Sequence, residues 1–190
     1  VLEFDLDMDA GTLALSVDGS SQGVCWKGLS GLTVYPAAGS YSNGKQATIL
    51  AIDRISSSGG STAVSAVFDP SAGSSSGLNY TNGNKTVSST QSNGLALLAA
   101  PVSSGKASWT FRLDTDSRGG ECTTFGATTK PITKFEYNAP HCYMLRAYNG
   151  QLYGSGKKGG NRQKVHPGDV VTVRADLDAK TLSFEVNGSS

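Results

Sequence analysis

The sequence predicts an all-β chain folded as a two-sheet antiparallel β-sandwich. Three observations carry this. The 190 residues include 24 Gly and only 16 % charged side chains, a turn-rich composition in a chain long enough to bury a core. Apolar and polar residues alternate over short runs, and no segment holds a helical period through three turns. The runs are punctuated at regular spacing by Gly, Pro and Asn, as sandwich strands are.

Taken in order, "VLEFDLDMD" and "TLALSVDG" flank Ala10-Gly11 as a hairpin, with Leu13, Leu15 and Val17 on one face. "GVCW" and "LTVYPAAGSY" follow, then the turn Asn43-Gly44 and "QATILAI". Ser56 to Thr62, "SSSGGST", holds no apolar residue and reads as a linker. Beyond it come "LNYTNGNKTV", a hairpin with Asn82-Gly83 at its tip, and "GLALLAA". "ASWTFRLD", "ECTTFGATT", "HCYMLRAYNG", "QLYGSG" and "DVVTVRADLD" complete the set of strands.

Asp5, Asp7 and Asp9, followed by a glycine, raise the question of a calcium loop. An EF-type loop needs glycine at position six and a bidentate Glu at position twelve. Counted from Asp5, Ala10 and Ser16 stand there. A second observation decides the matter. "VVTVRADLDAKTLSFEVNGSS", Val170 to Ser190, lies without a gap over "VLEFDLDMDAGTLALSVDGSS", Val1 to Ser21, and about half the positions are identical. In this second copy Arg174 replaces Asp5 and Lys180 replaces Gly11, substitutions that a cation site does not admit. The aspartates therefore read as the solvent side of a strand, with Asp9 opening the turn, and no metal site is expected. One hairpin written twice, a domain length apart, is the mark of a tandem array.

Sixteen Lys and Arg against fifteen Asp and Glu leave a net charge of +1, which gives neither nucleic acid nor an anionic membrane a concentrated basic field. No apolar run reaches the ~18 residues of a membrane-spanning helix. Cys25, Cys122 and Cys142 make no C-x-x-C pair. They read as small buried residues in a reduced environment, with a Cys122–Cys142 bridge left open. No signal peptide opens the chain, which begins in mid-strand pattern, so the start of the gene product is expected upstream.

The segment "HPGDVVTVRADLDAKTLSFEVNGSS" resembles the central signature of the SPRY (B30.2-type) domain, in which a Gly-Asp turn leads into a hairpin ending in Asn-Gly. "ASWTFRLD" is similar to that family's preceding tryptophan strand, "GGECTTFGATT" to its next strand and "MLRAYNGQLYGSG" to the one after. "DAGTLALSVDGSSQGVCWKGLSGLTVYPAAGSYSNGKQATIL" is similar to the family's closing third. The wording is nearest to SPRY domains in very large multidomain proteins such as giant ubiquitin ligases. The resemblance implies a lectin-like, jelly-roll type sandwich in a permuted or tandem-array arrangement. Residues 1–55 then supply closing strands, 56–62 link, and 63–190 form a module lacking those closing strands. Either the first segment completes a preceding copy, or it folds back to complete this one; an unfinished sandwich would expose apolar edges.

No catalytic constellation is visible: no nucleophile elbow surrounds a serine, and "GSGKKGG" lacks phosphate-loop spacing and reads as a hairpin loop. His166, before "PGD", reads as a turn residue. The resemblance implies a module without enzymatic activity or cofactor that binds a protein or peptide partner through loops at one end. The loops to suspect surround "FEYNAPHCYMLRAYNGQLY", Phe135 to Tyr153. Tyr137, His141, Tyr143, Arg146, Tyr148 and Tyr153 are the candidate contacts, aromatic and arginine types that dominate hot spots, with Lys157, Lys158 and Arg162 as a basic loop beside them. At alternating positions, about half of these tyrosines are expected in the core. Trp26 and Trp109 are expected there too. The leading expectation is an intracellular, cytoplasmic interaction module, with neighbouring copies of the chain as further partners. Two alternatives stand: a structural unit assembling head to tail through shared strands, and an extracellular glycan-binding module sugar-modified at Asn79, Asn84 and Asn187.

Overall fold

The computed structural model describes residues 2–7, 12–17, 20–27, 31–55, 61–73, 77–103, 106–116, 123–154, 156–161, 164–176 and 181–187, and among them there is no helix. The first three strands, β1 (Leu2–Asp7), β2 (Thr12–Val17) and β3 (Ser20–Lys27), form an antiparallel sheet of their own. Next come β4 (Tyr35–Ser40), β5 (Gln46–Ile55), β6 (Ser61–Ala63), β7 (Leu78–Thr81), β8 (Thr86–Ser89) and β9 (Gly94–Leu97). The remainder are β10 (Lys106–Thr115), β11 (Thr123–Thr128), β12 (Cys142–Arg146), β13 (Gln151–Gly154), β14 (Lys157–Asn161), β15 (Val170–Asp176) and β16 (Thr181–Val186).

Two larger sheets make the sandwich. One is seven-stranded, in the order β16-β15-β10-β5-β8-β7 with β6 also paired to β5; the other is six-stranded, β14-β13-β12-β11-β4-β9. Period-two alternation drives the packing. Along β10, Ala107, Trp109, Phe111 and Leu113 are buried, while Arg112 between them is exposed. They meet Phe125, Ala127, Tyr143 and Leu145 of the opposite sheet in one core. Phe111 holds it together, its ring centroid 6.2 Å from that of Phe68 and 5.4 Å from that of Phe125.

Two of the strands ahead of the Ser/Gly stretch, β4 and β5, are central ones. β5 lies between β8 and β10, with Ile52 opposite Trp109 and Ile49 opposite Phe111. β4 lies between β9 and β11, with Ala38 opposite Phe125. A polar ladder on the sheet face away from the core adds to the joint: Asp114 accepts hydrogen bonds from Thr48 Oγ1 at 2.5 Å and Arg112 Nε at 2.5 Å, and Thr48 meets Thr86 at 2.8 Å. Ser61 and Thr62, at the end of the expected linker, instead extend β6 opposite Ile55 and Arg54.

Inside its exposed edge strand β14, the six-stranded sheet is covered on both faces. β11 is buried along its whole length. Against its far side, Ala37, Leu95, Leu97, Cys142, Met144 and Tyr153 form a second apolar cluster with Tyr137 and Ala139. Residues 129–141, which carry Tyr137 and Ala139, act as a cap. Cys142 is a free thiol, so the bridge to Cys122 that the sequence left open is absent; burial pushes its pKa up to about 11. Asp5, Asp7 and Asp9, the sites of the calcium question, lie outside the described side chains.

Candidate functional site

Strand parity sorts the candidate residues. On β12, Cys142, Met144 and Arg146 point to the capped face, while Tyr143 and Leu145 point between the sheets. Tyr143 is therefore a core residue, as expected of about half of the tyrosines, and stands apart from the others. His141 is buried as well. Its ring is only 7 % exposed, and Nε2 lies 3.0 Å from the carbonyl of Lys134, a bond that ties the cap to the start of β12. Desolvation lowers its pKa below the usual imidazole value, against an opposing contribution from the Lys134 carbonyl.

The others come together as a continuous aromatic and cationic ladder. Tyr153 on β13 meets Tyr137 of the cap edge to face, with centroids 4.8 Å apart at 78°. Tyr137 in turn meets Tyr41 at 5.9 Å and 76°. Arg146 stands at the middle: its guanidinium carbon is 5.8 Å from the Tyr137 ring and 5.7 Å from the Tyr148 ring, and Nη1 reaches the Tyr153 hydroxyl at 3.5 Å. Lys164 Nζ approaches the same Tyr148 ring at 5.9 Å. Each such cation–π contact contributes about 0.5–2 kcal/mol, more where water is excluded.

Exposure then divides the ladder into support and contact. Tyr137, Tyr153 and Arg146 are buried, whereas Tyr148 is 48 % exposed and Tyr41 42 %. Tyr148 sits in the turn that joins β12 to β13, closed by the bond from Gly150 N to the Arg146 carbonyl at 2.9 Å. Tyr41 sits where the chain crosses from the six-stranded to the seven-stranded sheet. Arg146 thus packs against the Tyr148 ring, and the two open tyrosines each keep part of their ring in solvent.

Lys157 and Lys158 do not lie in a loop. They begin β14, with Lys157 opposite Gly154 and Lys158 opposite Tyr153, on the exposed edge of the sheet. Lysines there blunt an otherwise open edge. Arg162 lies outside the described residues. Sequence reasoning missed Tyr41 and Lys164; a tyrosine beside a crossover turn, in "GSYSNG", was the available signal for the first.

Among the described residues, no group of three His, Cys, Asp or Glu side chains gathers to hold a metal, and no helix is long and apolar enough to cross a membrane. His166 stands in the turn before β15, its backbone N–H donating to Asp169 Oδ2 at 2.8 Å.

The fold is that of a two-sheet antiparallel β-sandwich with a capped outer face. Residues 106–190 match the model of the SPRY domain, a family of protein-interaction modules. A similar solved structure is the SPRY domain of human HERC1, at 26 % identity and a TM-score of 0.53, covering 65 % of this chain and 77 % of that one.

Proposed function

We propose that this chain is a non-catalytic recognition module that takes a peptide segment of a protein partner on the surface formed by Tyr148 and Tyr41, within a larger intracellular protein. The observation that carries the reading is the stack at Arg146. Two buried tyrosines and a buried arginine fix a half-exposed tyrosine, so little side-chain entropy is left to lose on binding. Lys164 and the Lys157–Lys158 edge supply positive charge nearby, which favours a segment carrying carboxylates.

Selection of peptides from a random displayed library, with the intact chain as bait, tests this. Selected peptides should lose at least ~10-fold in affinity for Tyr148→Ala, about 1.4 kcal/mol. Arg146→Lys, which keeps charge but not the planar stack, should weaken them as well. Peptides that bind wild type and Tyr148→Ala equally would remove this surface from consideration.

A further inference from the structure

The first hairpin and the last share one register. In β1–β2, Leu2 stands opposite Val17, Phe4 opposite Leu15 and Asp7 opposite Thr12. In β15–β16, Val171 stands opposite Val186, Val173 opposite Phe184 and Asp176 opposite Thr181. The offset that carries Val1 to Val170 carries every one of the first pairs onto the second. β15 holds its place by pairing with β10, where Trp109 faces Val173, Thr110 faces Thr172 and Phe111 faces Val171. The other side of β10 is taken by β5, which the chain joins through β4 and β3 to the hairpin β1–β2. The first hairpin is thus connected, through β3 and β4, to the strand that flanks the other side of this seat. The two hairpins also touch: β1 lies against β15 and β16, and β2 against β16.

We propose that the edge of β10 is an exchange site that takes either hairpin. In the alternative arrangement β1–β2 occupies the seat, in its own chain or in a second copy, and the displaced β15–β16 becomes free for the β10 edge of a neighbouring copy. Registry makes this a small change. A period-two strand seated without a slip keeps its apolar set on the core side, so Leu2, Phe4 and Leu6 would take the places of Val171, Val173 and Ala175. Asp7 would replace Asp176 opposite Lys106, so the residue types at that register position are unchanged. Size separates the occupants. Val171 and Val173 are fully buried, and phenylalanine in the second position overfills the site. β15 accordingly holds the seat at rest, with β1 as minor occupant. Tethering keeps the competitor at high local concentration, and exchange of identical elements between copies is a low-cost route to assembly.

Cysteine trapping in the full chain, with Cys25→Ser and Cys122→Ser as background, tests the proposal. Thr110 Oγ1 and Thr172 Oγ1 are 2.9 Å apart, so Thr110→Cys/Thr172→Cys reports the resting arrangement. Thr110→Cys/Glu3→Cys reports the alternative, and Thr110→Cys/Ser16→Cys, one strand further out, is the off-seat control. Under mild oxidation the 3–110 disulfide should form well ahead of the 16–110 one. Phe4→Val, which slims the strand to match Val173, should raise its yield severalfold. Monomeric product marks exchange within a chain and covalent dimers mark exchange between copies; either supports the site. A 3–110 yield no greater than the control, or one indifferent to Phe4→Val while the 110–172 reference still closes, overturns it.

Discussion

Replacing Ile52 by alanine tests whether the strands ahead of the Ser/Gly stretch are part of the same cooperative unit as the rest. Ile52 is 3 % exposed and stands opposite Trp109, which is fully buried. The change deletes three carbon atoms, about 2.4 kcal/mol at ~0.8 per buried methylene. Incomplete collapse of the cavity between two packed sheets raises this to about 3–4 kcal/mol. For a chain of this size each kcal/mol lowers the melting temperature by about 2–4 °C, so a fall of about 6–16 °C is expected. The assay is thermal and urea unfolding followed by Trp109 fluorescence in a Trp26→Phe background. Leu50→Ala is the internal control. Between Thr110–Ala51 and Phe111–Ile49 the register shifts, which leaves Leu50 as the bulged residue, 41 % exposed. Its loss should stay within about 0.5 kcal/mol. If Ile52→Ala leaves the Trp109 transition where it was, or matches Leu50→Ala, β5 does not belong to this core and the account of closure fails.

Three further predictions follow from individual residues. Cys142 keeps its proton in the fold up to about pH 11, while the unfolded thiol gives it up near its ordinary value of 9.0. Between those values the native state binds the extra proton, so stability falls as pH rises, by up to about 3 kcal/mol, and Cys142→Ala should flatten that limb of a urea-midpoint profile. His141, with its pKa lowered by desolvation, stays neutral in the fold at a pH where the unfolded ring protonates. Stability should therefore decline as pH drops below ~6.5, and the ring should titrate below that point by NMR. Gly126 has φ +154° on β11, and a Cβ there would strike the Tyr143 carbonyl, so Gly126→Ala should lower the melting temperature at least as much as Ile52→Ala, an unchanged value counting against the packing described.

How much of this was readable in advance depends on how many faces of a strand are buried. β10 has one face in the core, and the order Ala107, Trp109, Phe111, Leu113 announces it. The Asn82-Gly83 turn was equally legible, because two successive positive φ angles, 53° and 61°, suit Asn and Gly best. β11 gave no such pattern. With both faces covered, "TTFGAT" need not alternate, and nothing in it discloses the cap made by residues 129–141. Parity explains the uneven fate of the candidate contacts. Tyr143 and Arg146 differ by an odd number of positions along one strand and so face opposite ways, which the sequence contained once the strand's bounds were fixed. Tyr41 and Lys164 meet the ladder through the tertiary fold, and no local pattern announces such a meeting. Lys157 was misread because Gly and Lys look like a loop, whereas on a sheet edge lysine keeps other strands away.

The cap also bears on why the patch can serve recognition. A sheet buried on both faces cannot bend to meet a partner, so Tyr148 and Tyr41 are presented at a fixed separation by the strands and crossings beneath them. Their positions depend on Arg146 and Tyr137, which are themselves packed within the capped face. Affinity and stability should consequently respond to different residues. Truncating Tyr148, nearly half exposed, removes its two cation–π contacts and costs the fold about 1–2 kcal/mol, whereas truncating Tyr137 or Tyr153 opens the second cluster, at about 3–5 kcal/mol, and loosens the patch with it. Loss of binding by Tyr148→Ala with a melting temperature lowered by no more than about 2–8 °C is the combination a rigid recognition surface requires; a larger fall together with lost binding would mean that Tyr148 supports the fold and does not read the partner.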